Sequence, residues 1–566
     1  MTFNTDRFIL EVINRKGEME MKRRVGQYLM DCISEFGVET IFGVPGDFNL
    51  TFLDDITERD DMKWVGNTNE LNASYAADGY ARMHGMSAMV TTFGVGELSA
   101  VNGIAGAYAE RVPVVQITGA PTRSAEQAGA YLHHSLGEGS FDDYRQMYEP
   151  ITTSEAYITP ENAQTEIPRI LTAAWTEKRP VHIHLPIDVA GEEIEVTETF
   201  KHPKHQESDV SNLVEAVEKR LKDAKQPVIL TGHEINSFNL HEELEQFVNQ
   251  THIPVAQLSL GKGAFNEENP YYIGMYDGQV AEEQIKNYVD HSDCILNIGG
   301  KLTDSATAGF SYEFDLDDVI TINHRNFQAG ETTSQDAHLI DLVQQLKNID
   351  VQFDVDYPQY ERPSEEVQVS DEALTQKQYF AMLQQFIKED DVLLADQGTS
   401  FFGSYNLGLS SNNMYIGQPL WGSIGYTLPA TLGSQIANKE RRNLLLVGEG
   451  ALQLTVQDIA VMMREDIKPV LFVINNDGYT VERKIHGERA PYNDITQWQY
   501  TMLPEVFGGK YQVMTHHVDT SKQLQDALNQ IDQHSDRMHL VEVKMNIDDA
   551  PEKLIKLGKV FANQNG

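Results

Sequence analysis

Two continuous apolar runs, residues 444–447 and 469–474, constrain this chain more than any other feature. Each stops abruptly at small or polar residues, Gly448-Glu449-Gly450 and Asn475-Asn476-Asp477-Gly478. Apolar runs without polar alternation read as strands buried on both faces of a parallel sheet. The segment between them has helical length and periodicity. Thr455-x-x-Asp458 ahead of Ile459, Met462 and Met463 is a capping-box pattern that predicts a helix starting near there. The product is a βαβ unit. Ligands of open α/β sheets bind beyond the carboxyl ends of the strands, so the two polar clusters are expected to face one crevice. A carboxylate, an amide oxygen and a Gly-rich turn suit a hard cation carrying a phosphate ester.

At 566 residues the chain is too long for one core and predicts about three domains, at ~150 residues each. A net charge of −41 repels nucleic acid and anionic lipid, which excludes them as expected partners. Cys32 and Cys294 lie far apart in apolar contexts, with no C-x-x-C pattern or Cys/His cluster. Two buried reduced thiols are expected, and with them a cytoplasmic location. No run of ~18 apolar residues marks a membrane span, and residues 8–13, interrupted by Glu11, do not read as a secretory signal.

Helix and strand alternate from Met21 to Asp188: an amphipathic helix over 23–36, strands at 40–44, 88–92, 113–118 and 181–185, and a small-residue helix opened by Glu70. Pro186-Ile-Asp188 reads as a domain terminator and 192–210 as a linker. Strands resume at 227–230, 254–258, 294–298 and 319–322 in a nucleotide-binding type of α/β pattern. Its Leu260-Gly-Lys-Gly263 and Gly299-Gly-Lys301 match no phosphate-binding motif and are read as structural. A Pro- and acid-rich linker, 354–370, leads to a third such segment ending in a helix over 550–563. The expected organisation is an N-terminal extension (1–20), a first domain (21–190), a central domain (191–353), the linker, and a last domain (371–566). The first and last share the same alternation, as duplicated domains would.

Gly448-x-Gly450 followed by Asn475-Asn476 resembles the diphosphate–magnesium motif of thiamine diphosphate enzymes, with Glu449 where that family has Asp. Further features, spread over residues 21–566, make the chain similar to the 2-oxo acid decarboxylases that use this cofactor, the pyruvate and indolepyruvate decarboxylase group. The likeness is greatest to bacterial indolepyruvate and branched-chain 2-oxo acid decarboxylases. It implies three doubly wound parallel-sheet domains that bind the pyrimidine, stand centrally, and bind the diphosphate. It also implies that the cofactor spans two subunits, hence a homodimer, commonly a homotetramer.

By resemblance, Glu70 in Asn69-Glu70-Leu71-Asn72 is the carboxylic acid that shares a proton with the cofactor's pyrimidine. Asp47, His133 and His134 match the proton-handling set. Adjacent histidines point in different directions in most backbones, so a relay with Asp47 is expected rather than a metal site. Glu482 falls where a carboxyl with a raised pKa in a dry, apolar pocket protonates the reacting carbon. Gly422, Ser423 and Ile424 match the segment whose bulky apolar residue holds the cofactor bent. Thr399, Gly448, Gly450, Ala451 and Tyr479 complete the cofactor contacts, and Glu449, Asn476 and the Gly478 carbonyl the Mg2+ ligands. The substrate pocket is assigned to Gln397, Thr399, Phe401, Val481, Ile485 and Phe561.

Glu449 adds a methylene to a ligand of an ion whose bonds are short, ~2.0–2.1 Å, and Ala451 replaces the usual hydroxyl residue. Both changes weaken the expected metal–diphosphate site without changing its chemistry. Residues at Phe401 and Val481 smaller than in pyruvate-selective relatives imply that indolepyruvate, phenylpyruvate or branched-chain 2-oxo acids enter beside pyruvate. One methylene discriminates only ~10–200-fold, so breadth is expected. Two alternatives remain open here: a carboligating enzyme of acetolactate synthase type, and an inactive scaffold.

Overall fold

The computed structural model describes residues 12–13, 19–509 and 511–565. They fall into two compact units, the first ending at His205 and the second beginning at Gln206.

The first unit is built on a six-stranded sheet, all parallel. Its spatial order is Lys63–Gly66, Thr40–Gly43, Ser87–Thr92, Val114–Ala120, Val181–Pro186, Ser154–Tyr157. Four of these strands are buried throughout, as expected of a sheet covered on both faces. The expected helix over 23–36 begins later, at Val25–Ser34. Met19–Arg24 is a strand instead, antiparallel to Glu193–Val196. Opposite charges face each other across this pair, as in Lys22–Glu193 at 3.8 Å, and Arg24 also pairs with the buried Asp55. The segment read as a linker from 192 therefore folds back onto the first unit.

The second unit contains two sheets. The central one runs Tyr272–Met275, Val255–Gln257, Pro227–Thr231, Cys294–Ile298, Val319–Asn323, then an antiparallel edge hairpin, Asn326–Ala329 and Thr332–Ser334. The five parallel strands follow the order of dinucleotide-binding sheets. At their switch point, however, a Cβ on Gly232 would collide with the Gly300 backbone, so the two loops meet backbone to backbone. Lys262, of the Gly-Lys-Gly sequence, is buried and donates to Glu267 at 2.6 Å and to the Leu407 carbonyl at 2.7 Å.

The last sheet is also six-stranded and parallel: Met414–Ile416, Val392–Ala395, Asn443–Gly448, Val470–Asn475, Met538–Lys544, Val513–Val518. Numbered in chain order within each domain, the first and last sheets share one order: second, first, third, fourth, sixth, fifth. Strand direction of travel reverses between the first and third strands in both, which places a crevice there in each. The two apolar runs of the last domain pair side by side, Leu444 against Val470.

A helix does start where the capping-box pattern expects one, and a further helix precedes it. Asn443–Gly448 passes directly into a helix at Glu449–Thr455, and a second helix runs Asp458–Arg464. Thr455 ends the first of these, and its hydroxyl donates to the Gly425 carbonyl at 2.7 Å. The C-terminal helix spans Glu552–Asn565. Both cysteines are buried and unpaired, their thiols pushed up to about 12 by burial. Among the described residues no helix is long and apolar enough to cross a membrane.

Candidate active site

In the first unit the chemistry gathers on the loops leaving the first four strands of the sheet in chain order. After Thr40–Gly43 the chain turns at Val44–Asn49. The Asn49 side chain accepts from Gly46 N at 2.9 Å and donates to the Val44 carbonyl at 3.2 Å, fixing the turn that presents Asp47. His133 Nε2 lies 2.7 Å from Asp47 Oδ2, and His134 Nε2 lies 3.7 Å from Asp47 Oδ1. The expectation that adjacent histidines diverge is wrong here. His134 has a φ of +66°, the left-handed conformation, and this swings its ring to the same side as His133. Tyr144 donates its hydroxyl to the His134 carbonyl at 3.0 Å, and the same carbonyl packs on Gly94, where a Cβ would collide with it. Phe48 stacks on His133 with ring centroids 5.0 Å apart.

Glu70 is the first residue of the Glu70–His84 helix, capped by Asn69, whose side chain accepts from Asn72 N. Burial raises its pKa. Its Oε1 would lie 3.0 Å from a Cβ at residue 96, so Gly96 leaves the carboxyl its space. Sequence reasoning missed Gly96, and also Glu97. Glu97 is fully buried, accepts from Gly94 N at 2.7 Å, and meets His182 Nε2 at 3.2 Å. The signal was a lone acid inside a helix of small apolar residues, a position that requires partners.

In the last domain a cleft of about 260 Å³ opens at the ends of the first, third and fourth strands. Gln397, Thr399, Gly422, Ile424, Gly448, Glu449, Gly450, Ala451, Asn476, Gly478, Tyr479, Val481 and Glu482 all line it. Ser423, Ile485 and Phe561 do not. Phe401 is also turned away: it is 3% exposed and packs on Tyr405 and Tyr415, while Phe402 forms the wall. One residue along the Thr399–Ser404 helix rotates a side chain by about 100°, so the wall is formed one position beyond Phe401, the residue assigned to it. Phe402 and Phe561 both pack against Val280, Ala308 and Leu557. Glu482, expected in a dry pocket, is exposed, because it sits in the first turn of a short helix, Thr480–Ile485, at the rim.

Glu449 is 1% exposed, and burial pushes its carboxyl up to about 7. Backbone N–H groups hold it down: Gly478 N donates to Oε1 at 2.7 Å and Asn476 N at 3.3 Å. Asn476 is buried, and its side chain makes no hydrogen bond among the described residues. A buried carboxylate without a cationic partner, beside an uncommitted amide and the Gly478 peptide, is an oxygen donor set that fits a divalent cation. Tyr479 covers Gly450, whose Cβ would stand 2.6 Å from the ring, so the second glycine of the motif is sterically required.

Residues outside the motif hold its loop. Lys544 donates to Asp477 Oδ1 at 2.6 Å and to Asn475 Oδ1 at 3.2 Å, and Asn475 in turn donates to Glu542 at 2.8 Å. Arg483, itself buried, donates to the Asp477 and Asn493 carbonyls. On the opposite wall Asp396 accepts from Gly425 N at 3.2 Å, Thr427 N at 3.1 Å and Thr427 Oγ1 at 2.6 Å. Asp396 and Thr455 thus clamp the turn carrying Ile424 from two sides.

Two parallel sheets with identical winding, one presenting carboxylates and imidazoles and the other an oxygen-donor, Gly-lined cleft, define the thiamine pyrophosphate enzymes (thiamine pyrophosphate and thiamine diphosphate being one compound). Family models agree: residues 23–144 match the N-terminal TPP binding domain of these enzymes, 214–348 the central domain and 397–543 the C-terminal TPP binding domain. The chain belongs to this family. It is 40% identical over 548 residues to an alpha-keto-acid decarboxylase of Mycolicibacterium paratuberculosis, covering 94% of this chain and 96% of that protein. It is 40% identical over 550 residues to the alpha-keto-acid decarboxylase of Mycobacterium tuberculosis (95% and 97% covered), and 38% identical over 559 residues to that of Mycobacterium leprae (97% of each).

Proposed function

We propose that the protein catalyses non-oxidative decarboxylation of a 2-oxo acid, consuming one proton and releasing CO2 and the aldehyde, with thiamine diphosphate and Mg2+. The observation that carries this reading is the convergence of His133 and His134 on Asp47, since a reaction that must deliver a proton to carbon needs such a set. The alpha-keto-acid decarboxylase relatives support it.

Thiamine diphosphate, when bound, supplies the centre that takes up the electron pair left by CO2. The chain's own groups bind, orient and move protons. Glu449, the Asn476 amide oxygen and the Gly478 carbonyl hold Mg2+. Gly448, Gly450, Ala451 and Tyr479 surround the diphosphate, with Ser423 contributing beside Gly422. Ile424, on the cleft wall, would pack against the bound cofactor. Glu70, with its pKa raised by burial, keeps a proton available to the pyrimidine nitrogen. Asp47 orients His133 by accepting at Oδ2, and the imidazoles pass protons to and from the reacting carbon. Glu482 handles the last proton from the cleft rim.

The substrate side chain meets Gln397, Val481 and Phe402, with Ile485 and Phe561 behind them, and the pocket takes indolepyruvate, phenylpyruvate, branched-chain 2-oxo acids and pyruvate with modest preference. Domain limits at 21–190, 191–353 and 371–566, a cytoplasmic location in keeping with two buried thiols, and action as a homodimer or homotetramer complete the reading. Incubation with thiamine diphosphate, Mg2+ and a panel of 2-oxo acids tests it. CO2 with aldehyde is the expected outcome; an acetohydroxy acid would make it a carboligase, and no product a scaffold.

A further inference from the structure

We infer that Asp47, His133 and His134 form a second metal site, for a borderline transition-metal ion such as Zn2+, Co2+ or Cu2+, separate in chemistry from the oxygen-donor cleft. One donor atom from each residue lies within 4.8 Å of the other two. Two ligands of one tetrahedral ion bound at ~2.0–2.2 Å stand roughly 3.3 Å apart. His134 Nε2 stands 3.7 Å from Asp47 Oδ1 and His133 Nε2 2.7 Å from Asp47 Oδ2, so a small rotation of the carboxylate that sets one oxygen between the two rings meets this. Two imidazoles and a carboxylate leave the fourth position to water, and this nitrogen-rich set favours Zn2+, Co2+ and Cu2+ over Mg2+.

The donors are both accessible and held. The side chains of Asp47, His133 and His134 are 49%, 59% and 31% exposed, so an ion reaches them from solvent. The left-handed His134 backbone is pinned by the Tyr144 hydroxyl and by contact with Gly94, and His133 is stacked on Phe48. Binding therefore needs small side-chain shifts and no backbone change. The lone pairs that would take the ion are those that carry protons in the proposed reaction, so occupancy stops turnover. That consequence rests on the proposed function; binding itself does not.

Co2+ titration of the protein already saturated with Mg2+ and thiamine diphosphate tests the site. A visible d–d band of nitrogen-ligated Co2+ should grow to one ion per chain. Half-saturation should move by more than ~100-fold in His133→Gln and in His134→Gln, exceeding what loss of an outer-shell partner causes, and should be unchanged in Glu449→Gln. Zn2+ should displace the band and abolish decarboxylation until a chelator is added. A band undiminished in both histidine variants, or lost in Glu449→Gln, would overturn the site. Co2+ bound through the histidines with turnover intact upholds the site and counts instead against the proton-handling role.

Discussion

Glu449 Oε1 lies 2.7 Å from the backbone nitrogen of Gly478, so the motif's unusual glutamate reaches across the cleft to the loop that closes it. The extra methylene lets the carboxylate satisfy itself on that N–H, which competes with a cation for the same oxygen. Aspartate is too short to keep the contact. Glu449→Asp is expected to lower the Kd for Mg2+ measured by titration of the cofactor-free protein, and Glu449→Gln to raise it. An unchanged or higher Kd in the aspartate variant would remove this explanation.

Lys544 ties Asp477 and Asn475 together behind the loop that carries Asn476 and Gly478. Lys544→Met should weaken Mg2+ binding by ~10–100-fold, the usual effect of losing a group that orients a ligand. kcat at saturating Mg2+ should change little, and Lys544→Arg should recover part of the affinity. A loss of kcat with the Mg2+ Kd intact would assign Lys544 another role.

Gly94 faces the His134 carbonyl at a φ of +66°. An alanine there meets both strain and a collision. Gly94→Ala should cost roughly 1–3 kcal/mol, seen as a lower Tm, and displace His134 from Asp47. The decarboxylation rate should fall well beyond what the loss of stability explains.

The adjacent phenylalanines separate by function. Phe401→Ala should cost about 3–5 kcal/mol, because it empties a buried aromatic site, with substrate preference largely kept. Phe402→Ala should leave the protein nearly as stable and shift KM toward larger 2-oxo acids. Stability and KM measured on both variants decide the assignment.

Asp396 is buried, and burial pushes its carboxyl up to about 6 from an ordinary value near 4. The folded state therefore binds a proton more tightly than the unfolded one. The resulting stabilisation is fully present below pH ~4 and is lost as pH rises through about 6. The penalty of Asp396→Asn should accordingly shrink, by at most about 3 kcal/mol, between pH 4 and 7. Tm differences between the two proteins at several pH values measure it; a penalty that grows with pH would contradict the direction.

What could be read in advance was whatever depends on strand ends. The apolar runs stop at Gly448 and Asn475 in the structure as in the sequence, and the cleft forms there. Phase within short helices was not legible. Phe401 and Phe402 are equally apolar, and only the tertiary packing of Tyr405 and Tyr415 decides which one turns inward. The His134 conformation depends on Gly94 and Tyr144, remote in sequence or unremarkable beside it. The strand Glu193–Val196 did carry a signal: its residues alternate exposed and buried, but three acidic residues in five from Glu192 masked the period of two.

The shared strand order of the first and last sheets has a consequence for how the gene can vary. The reactive groups stand on the loops leaving the first four strands, at one end of each sheet. The loops at the opposite end, which enter those strands, carry none of them. Length changes there leave the reacting groups where they are, whereas a single residue added between Ala395 and Thr399, or between Gly448 and Ala451, shifts a wall of the cleft. Insertions should therefore accumulate on one rim of each sheet and be purged from the other.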